Sequence, residues 1–189
     1  MTEPKKMAWS DVKNVLSEKE KKELIQLIGD LYRLNKDNKT FLHSRYPTGE
    51  VSLESYYKKI SDALYPPITG RRSVNFSAGK KVISSYFKAT HDIVGKLELM
   101  AHYVEMGTKY TVEYGDMWEN FYLSLERMFE KITEELDSQP DGIVDHFLPK
   151  LEKIVDMASG MGWGYYDTLV DLLCDFCDRN GRELSLFED

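Results

Sequence analysis

Apolar residues recur along the chain at spacings of three and four, and strand-like alternation bounded by turn residues is almost absent. This pattern predicts an all-α protein. Ser17-Glu18-Lys19-Glu20 reads as a capping box opening a helix with Leu24, Leu27, Ile28 and Leu31 on one stripe. Polar residues from Asn35 to Asn38 predict a turn, followed by a short helix through Phe41 and Leu42 that ends before Pro47 and Gly49. Ser52 then starts a helix carrying Leu53, Tyr56, Tyr57, Ile60 and Leu64, which Pro66-Pro67 ends because neither ring has an N–H to donate. The stretch from Pro66 to Phe76 is the least regular of the chain.

In the second half, Ser77 reads as the N-cap of a helix through Val82, Ile83, Tyr86 and Phe87, and Asp92 as that of one through Val94, Leu97, Ala101 and Val104. Gly107 and Gly115 read as punctuation. The stripe from Trp118 through Phe121, Tyr122, Leu125, Met128, Phe129 and Ile132 to Leu136 is the clearest helix, predicted from Asp116. Two more follow, Asp141 to Ser159 and Tyr165 to Asn180, with Gly160 and Gly181 as the residues that close them. The expected fold is a single all-α domain over residues 1–189, with 1–9 and 183–189 loosely ordered. It is either an irregular helical bundle or a short right-handed stack of antiparallel helix pairs, as in HEAT proteins. The second form is suggested by an internal echo: Phe121-Tyr122-Leu123-Ser124-Leu125 resembles Tyr165-Tyr166-Asp167-Thr168-Leu169. The offset of about 44 residues suits a two-helix repeat.

Composition adds limits. A chain of 189 residues with 12% aromatic residues can hold a core, and its two cysteines cannot build a disulfide scaffold. No run approaches the roughly 18 apolar residues of a membrane span, so a cytoplasmic protein without membrane contact is expected. Charge is bipolar: residues up to Lys96 hold 18 Lys and Arg against 11 Asp and Glu, a net +7, and from Leu97 onward 7 against 21, a net −14. The two halves can pair within one molecule or steer different partners.

Four segments carry a family likeness: Tyr103-Val104-Glu105-Met106-Gly107, Glu113-Tyr114-Gly115-Asp116, Phe121 to Glu126, and Gly162-Trp163-Gly164-Tyr165-Tyr166-Asp167. Together they resemble a family of small bacterial helical proteins known only as a domain of unknown function. The resemblance implies a bacterial, intracellular protein and no particular chemistry.

Candidate chemistry therefore rests on the residues. Glu98, His102 and Glu105 fall within roughly 60° of one another on a helix and could ligate a metal if a second helix supplied more ligands. No Glu-x-x-His unit of the di-metal kind occurs, and a Glu98–His102 pair on the helix surface is the plainer reading. Cys174-Asp175-Phe176-Cys177 has redox spacing, but Asp171, Asp175 and Asp178 favour the thiol over the thiolate, so packing is expected. Ser77-Ala78-Gly79-Lys80-Lys81 fails as a phosphate loop, with Val at 74 and Lys at 81 where Gly and Ser or Thr belong. What survives is an anion-binding cluster of Arg71, Arg72, Lys80 and Lys81 around a helix N-terminus. Gly160 to Gly164 follows a helix, not a strand, and so is no dinucleotide fingerprint. Trp163, Tyr165 and Tyr166 are candidates for lining a partner groove. No cofactor is expected.

The function expected is a non-enzymatic helical adaptor that docks on another protein. Nucleic-acid or phosphate-ligand binding through the basic N-terminal half is the first alternative, and a helical metal-binding protein the second.

Overall fold

The computed structural model describes residues 8–45, 52–68 and 73–184, with 40 and 43–45 described by backbone alone. Among the described residues there are nine helices and no strand: α1 (Trp9–Ser17), α2 (Lys21–Leu34), α3 (Lys36–Arg45), α4 (Glu54–Leu64), α5 (Phe76–Thr90), α6 (Ile93–Tyr114), α7 (Glu119–Leu136), α8 (Asp141–Met157) and α9 (Tyr165–Asn180). The all-α expectation holds. Contacts divide the chain into two compact units, Met1–Val51 and Ser52–Asp189. The expected turn at Pro47 and Gly49 lies outside the described residues, as do 1–7 and 185–189 of the termini read as loosely ordered.

In the first unit, the cap expected at Ser17 is displaced by one turn. Ser17 is the last residue of α1, and its Oγ donates to the Asn14 carbonyl at 2.7 Å. The box forms at Glu20 instead, whose N–H donates to the Glu23 carboxylate at 3.1 Å. Asn35 caps α3, its Oδ1 accepting from the Asn38 N–H at 2.8 Å, and Asn38 Nδ2 donates back to the Leu31 carbonyl at 2.6 Å. No side chain of α1 or α2 is buried.

The second unit is a stack of three antiparallel helix pairs. Within the pairs, early residues of one helix meet late residues of the next. Tyr56 packs on Tyr86 with ring centroids 5.0 Å apart, while Leu64 lies against Gly79. Lys96 pairs with Glu135, Gly107 faces Leu125, and Thr111 bonds Tyr122 at 2.7 Å. Arg182, just beyond α9, reaches back to Asp141 and Asp145 at the start of α8, 2.8 and 3.3 Å away. Between pairs the order is the same on both sides, so the helices run parallel. Ser61 meets His102 across α4 and α6, Glu98 meets His146 and Glu105 meets Lys153 across α6 and α8, and Tyr122 meets Tyr165 across α7 and α9. The first helices α4, α6 and α8 thus form one layer, and α7 and α9 stack in the other. The echo between Phe121 and Tyr165 falls on these two stacked helices.

At the centre, α6 packs against α4, α5, α7 and α8. It is buried almost all round, including Leu97, Leu99, Met100, Tyr103 and Val104. Asp92 caps it as expected, accepting from the Gly95 N–H at 3.1 Å. Gly107 does not break it: α6 runs 22 residues, and the missing side chain at 107 admits Leu125, whose Cδ2 would sit 2.4 Å from an added Cβ. Two further expectations shift. Asn75, not Ser77, caps α5, its Oδ1 accepting from the Ala78 N–H at 2.9 Å, and α7 starts at Glu119.

Candidate functional site

The layer α4–α6–α8 carries a cleft of ≈ 280 Å³ lined by Tyr57 of α4, by Glu98, Ala101, His102 and Glu105 of α6, and by Lys150, Lys153 and Ile154 of α8. The three residues read from the sequence as possible ligands therefore share one concave surface, as their helical spacing requires. The other helices complete it. Ser61 Oγ lies 2.8 Å from His102 Nε2, and His102 Nδ1 lies 3.7 Å from Glu105 Oε2. The Tyr57 ring meets the imidazole edge-on at 4.8 Å, and its hydroxyl donates to Glu98 Oε2 at 3.5 Å. Glu98 Oε1 accepts from Lys150 and lies 2.7 Å from His146 Nε2. Lys109 and Lys153 approach Glu105 Oε1 at 3.1 and 3.6 Å.

These partners set the charge of the cleft. The imidazole of His102 is the largest influence on Glu105 and, with Lys109 and Lys153, overcomes burial to bring its carboxyl down to about 2. Burial pushes Glu98 up, but the bonds from Lys150 and His146 outweigh it and leave the carboxyl below its ordinary range. Burial and the Glu98 charge raise the Tyr57 phenol to about 12. The cleft thus holds two carboxylates neutralised by lysines, a protonated phenol, and an imidazole between a hydroxyl and a carboxylate. Lysine ammoniums occupy the places where a bound cation would balance Glu98 and Glu105. Among the described residues no group of three or more His, Cys, Asp and Glu side chains is arranged to hold a metal ion.

Residues 7–173 match the model of DUF6155, a family of unknown function, well over half of the sequence. The chain belongs to DUF6155. No curated protein and no solved structure matches it. All four segments that carried the family likeness fall within the DUF6155 match.

The remaining sequence candidates of this DUF6155 chain are placed as follows. Arg71 and Arg72 lie outside the described residues. Lys80 and Lys81 are exposed on α5, where partial burial of the Lys80 ammonium and the charges of Lys131 and Arg127 on α7 lower its pKa. The groove read at Trp163, Tyr165 and Tyr166 comes apart. Tyr165 is fully buried, its hydroxyl 2.7 Å from Thr108 Oγ1, so it is a core residue and cannot line a surface groove. Tyr166 is half-buried, and Trp163 is 62% exposed. Cys174 is half-buried and Cys177 buried, and both thiols are raised, by burial first and then by nearby charges that include Asp178.

Trp163 has company. Thr111 Oγ1 contacts both the Gly115 carbonyl and Met161 Sδ, and Gly162 packs on the Asp116 carboxylate. These contacts bring the α6–α7 and α8–α9 loops together at one end of the stack. That end carries Trp118, 58% exposed, as well as Trp163. Trp163 also has φ 61, between Gly160 at φ 78 and Gly164 at φ 69. Residues 110–122 and 156–168, which form this end, hold five Asp and Glu and no Lys or Arg. No helix among the described residues is long and apolar enough to cross a membrane.

Proposed function

We propose that this chain is a protein-interaction module, an adaptor that docks a partner on the acidic, tryptophan-bearing end of the second unit's helix stack. The observation that carries the reading is Trp163. A left-handed conformation costs a residue with a Cβ roughly 1–2 kcal/mol, and the exposed indole recovers little of that by burial. Strain retained on a large exposed aromatic supports a functional reading of this position. Tryptophan is also the side chain most enriched among residues that dominate binding energy. The acidic run around both tryptophans favours a partner segment that is basic and presents an apolar side chain between its charges.

The test is parallel capture from cell lysate with wild type, Trp163→Ala and a Trp118→Ala/Trp163→Ala variant, at 0.1 and 0.5 M salt. The expected result is a stoichiometric protein with a basic contact segment, retained by wild type at low salt, weakened at high salt and lost with Trp163→Ala. Identical profiles for wild type and the double variant would reject the reading.

A second reading is an anion, such as a phosphate backbone, on the basic face of α5 and α7. It is favoured by the crowding of Lys80 with Arg127 and Lys131. Affinity for a defined oligonucleotide would then fall with salt, by about −0.9 in log–log slope for each phosphate neutralised.

A further inference from the structure

His102 and Glu105 line the cleft, and Ser61, a half-buried residue of α4, meets the imidazole beside it, so that three residues from two helices follow one another in a fixed order. The Ser61 hydroxyl is 2.8 Å from His102 Nε2, within the 2.6–3.2 Å reach of a nucleophile and its base. The other ring nitrogen, Nδ1, faces Glu105 Oε2 at 3.7 Å. One tautomer serves both contacts: Nδ1–H toward the carboxylate, and Nε2 free to accept the serine proton. The imidazole and the carboxylate are 19% and 24% exposed, shielded yet open to the cleft. Tyr57 fixes the ring plane from a third direction.

We infer that Ser61, His102 and Glu105 form a nucleophile–base–carboxylate relay, the carboxylate orienting the base, that transfers a short acyl group from a small ester to water. The relay is defined by geometry and roles, and needs no sequence motif. In the first step Ser61 Oγ bonds to the ester carbonyl carbon while its proton passes to His102 Nε2. The bond from that carbon to the alcohol oxygen then breaks, and the departing oxygen takes the proton from His102. In the second step water attacks the acyl-serine, His102 takes the water proton, and the bond to Ser61 Oγ breaks as the oxygen recovers it. The sum is ester plus water giving acid plus alcohol, with no oxidant or further reactant.

The surroundings define the substrate and the speed. At ≈ 280 Å³ the cleft is at the small end of ligand sites, roughly 300–1,000 Å³, which limits it to short acyl groups. Ser61 lies inside α4, where backbone N–H groups are engaged in the helix, so charge on the carbonyl oxygen must be met by side chains. The donors at hand are the Lys150 ammonium, which has one N–H beyond those on Glu98 and His146, and the Tyr57 phenol, once it turns from its long 3.5 Å contact with Glu98.

The experiment treats the full chain with an alkyl fluorophosphonate, and separately with p-nitrophenyl acetate, followed by intact mass and peptide mapping. One adduct per chain on Ser61 is expected, absent after denaturation and absent in Ser61→Ala. Labelling should slow at least 10-fold in His102→Gln and about 10-fold in Glu105→Gln, with circular dichroism showing each variant folded. Because the mapped adduct on wild type is a result in itself, a variant that fails to fold leaves the test intact. No adduct on Ser61, or labelling of folded His102→Gln at the wild-type rate, would overturn the relay and leave the hydrogen bond as a tie between α4 and α6.

Discussion

Replacing Gly107 with alanine tests the contact on which the central helix depends. On an exposed helix Gly→Ala gains about 0.5–1 kcal/mol, since glycine loses the most backbone freedom on folding. Here the added methyl would lie 2.4 Å from Leu125 Cδ2, 2.9 Å from Cδ1 and 3.2 Å from Cγ. Leu125 is fully buried and cannot swing aside. Overpacking of this kind costs typically 1–3 kcal/mol, so the net expectation is a loss of about 1–2 kcal/mol. The cause is isolated by a second change. Leu125→Ala alone costs about 2–5 kcal/mol through its cavity. In that background Gly107→Ala should stabilise by about 1 kcal/mol, because the methyl enters emptied space and the propensity gain is no longer opposed. The coupling between the two sites is therefore about 2–3 kcal/mol, read from urea unfolding of the four proteins by far-UV circular dichroism. If Gly107→Ala stabilised the wild type, or the coupling fell below about 0.5 kcal/mol, the packing of α6 on α7 described above would be wrong.

Four further outcomes follow from single residues. Tyr103 is fully buried and its hydroxyl has no hydrogen-bond partner among the described residues, so Tyr103→Phe should leave stability unchanged or raise it by up to about 1 kcal/mol. Tyr165→Phe, which strips Thr108 of its 2.7 Å partner, should lower it by about 1 kcal/mol in the same melt. Glu105, brought from its ordinary 4.5 to about 2, stabilises the fold fully above pH 4.5, and that contribution is lost as pH falls toward 2. Its loss is up to about 3 kcal/mol, and acid titration of Glu105→Gln should lack that part of the decline. Trp163→Gly should raise the thermal midpoint slightly, by about 0.5–1 kcal/mol of relieved strain net of glycine entropy, while abolishing partner capture. A lower midpoint would show that the indole packs more than it strains.

Where the sequence read well, local chemistry decided the outcome. The bounds of α9 fall as expected because Gly164 and Gly181 take left-handed conformations at its two ends. The cap at Asp92 needs only its own carboxylate and the Gly95 N–H. Where the reading failed, two signals competed or packing prevailed. The Ser17 box competed with α1 for the same residue, and with α1 running to Ser17 the box fell to Glu20 and Glu23. Gly107 signals a break through its propensity, yet four helices around α6 supply contacts worth far more than about 1 kcal/mol. Tyr165 and Trp163 are two residues apart in one aromatic motif, and only the turn between them decides which faces the core.

The candidate site was half legible for a geometric reason. Glu98, His102 and Glu105 share one helix, so spacing alone places them together. Their partners lie 41 residues before, in Tyr57–Glu98 and Ser61–His102, and 48 and 52 residues after, in Glu98–His146 and Glu98–Lys150. No motif spans such distances, but a stack of helix pairs creates them, because residues about one repeat apart end up side by side on parallel helices. Asp137 meets Arg179 across 42 residues on the opposite layer by the same rule. The faint echo of about 44 residues between Phe121 and Tyr165 is thus the same fact as the site's long-range contacts. Once the repeat is granted, stepping about one repeat in either direction from the α6 cluster arrives within a helical turn or two of Tyr57, Ser61, His146 and Lys150. In this architecture the repeat length, more than any motif, tells which distant side chains can share a cleft.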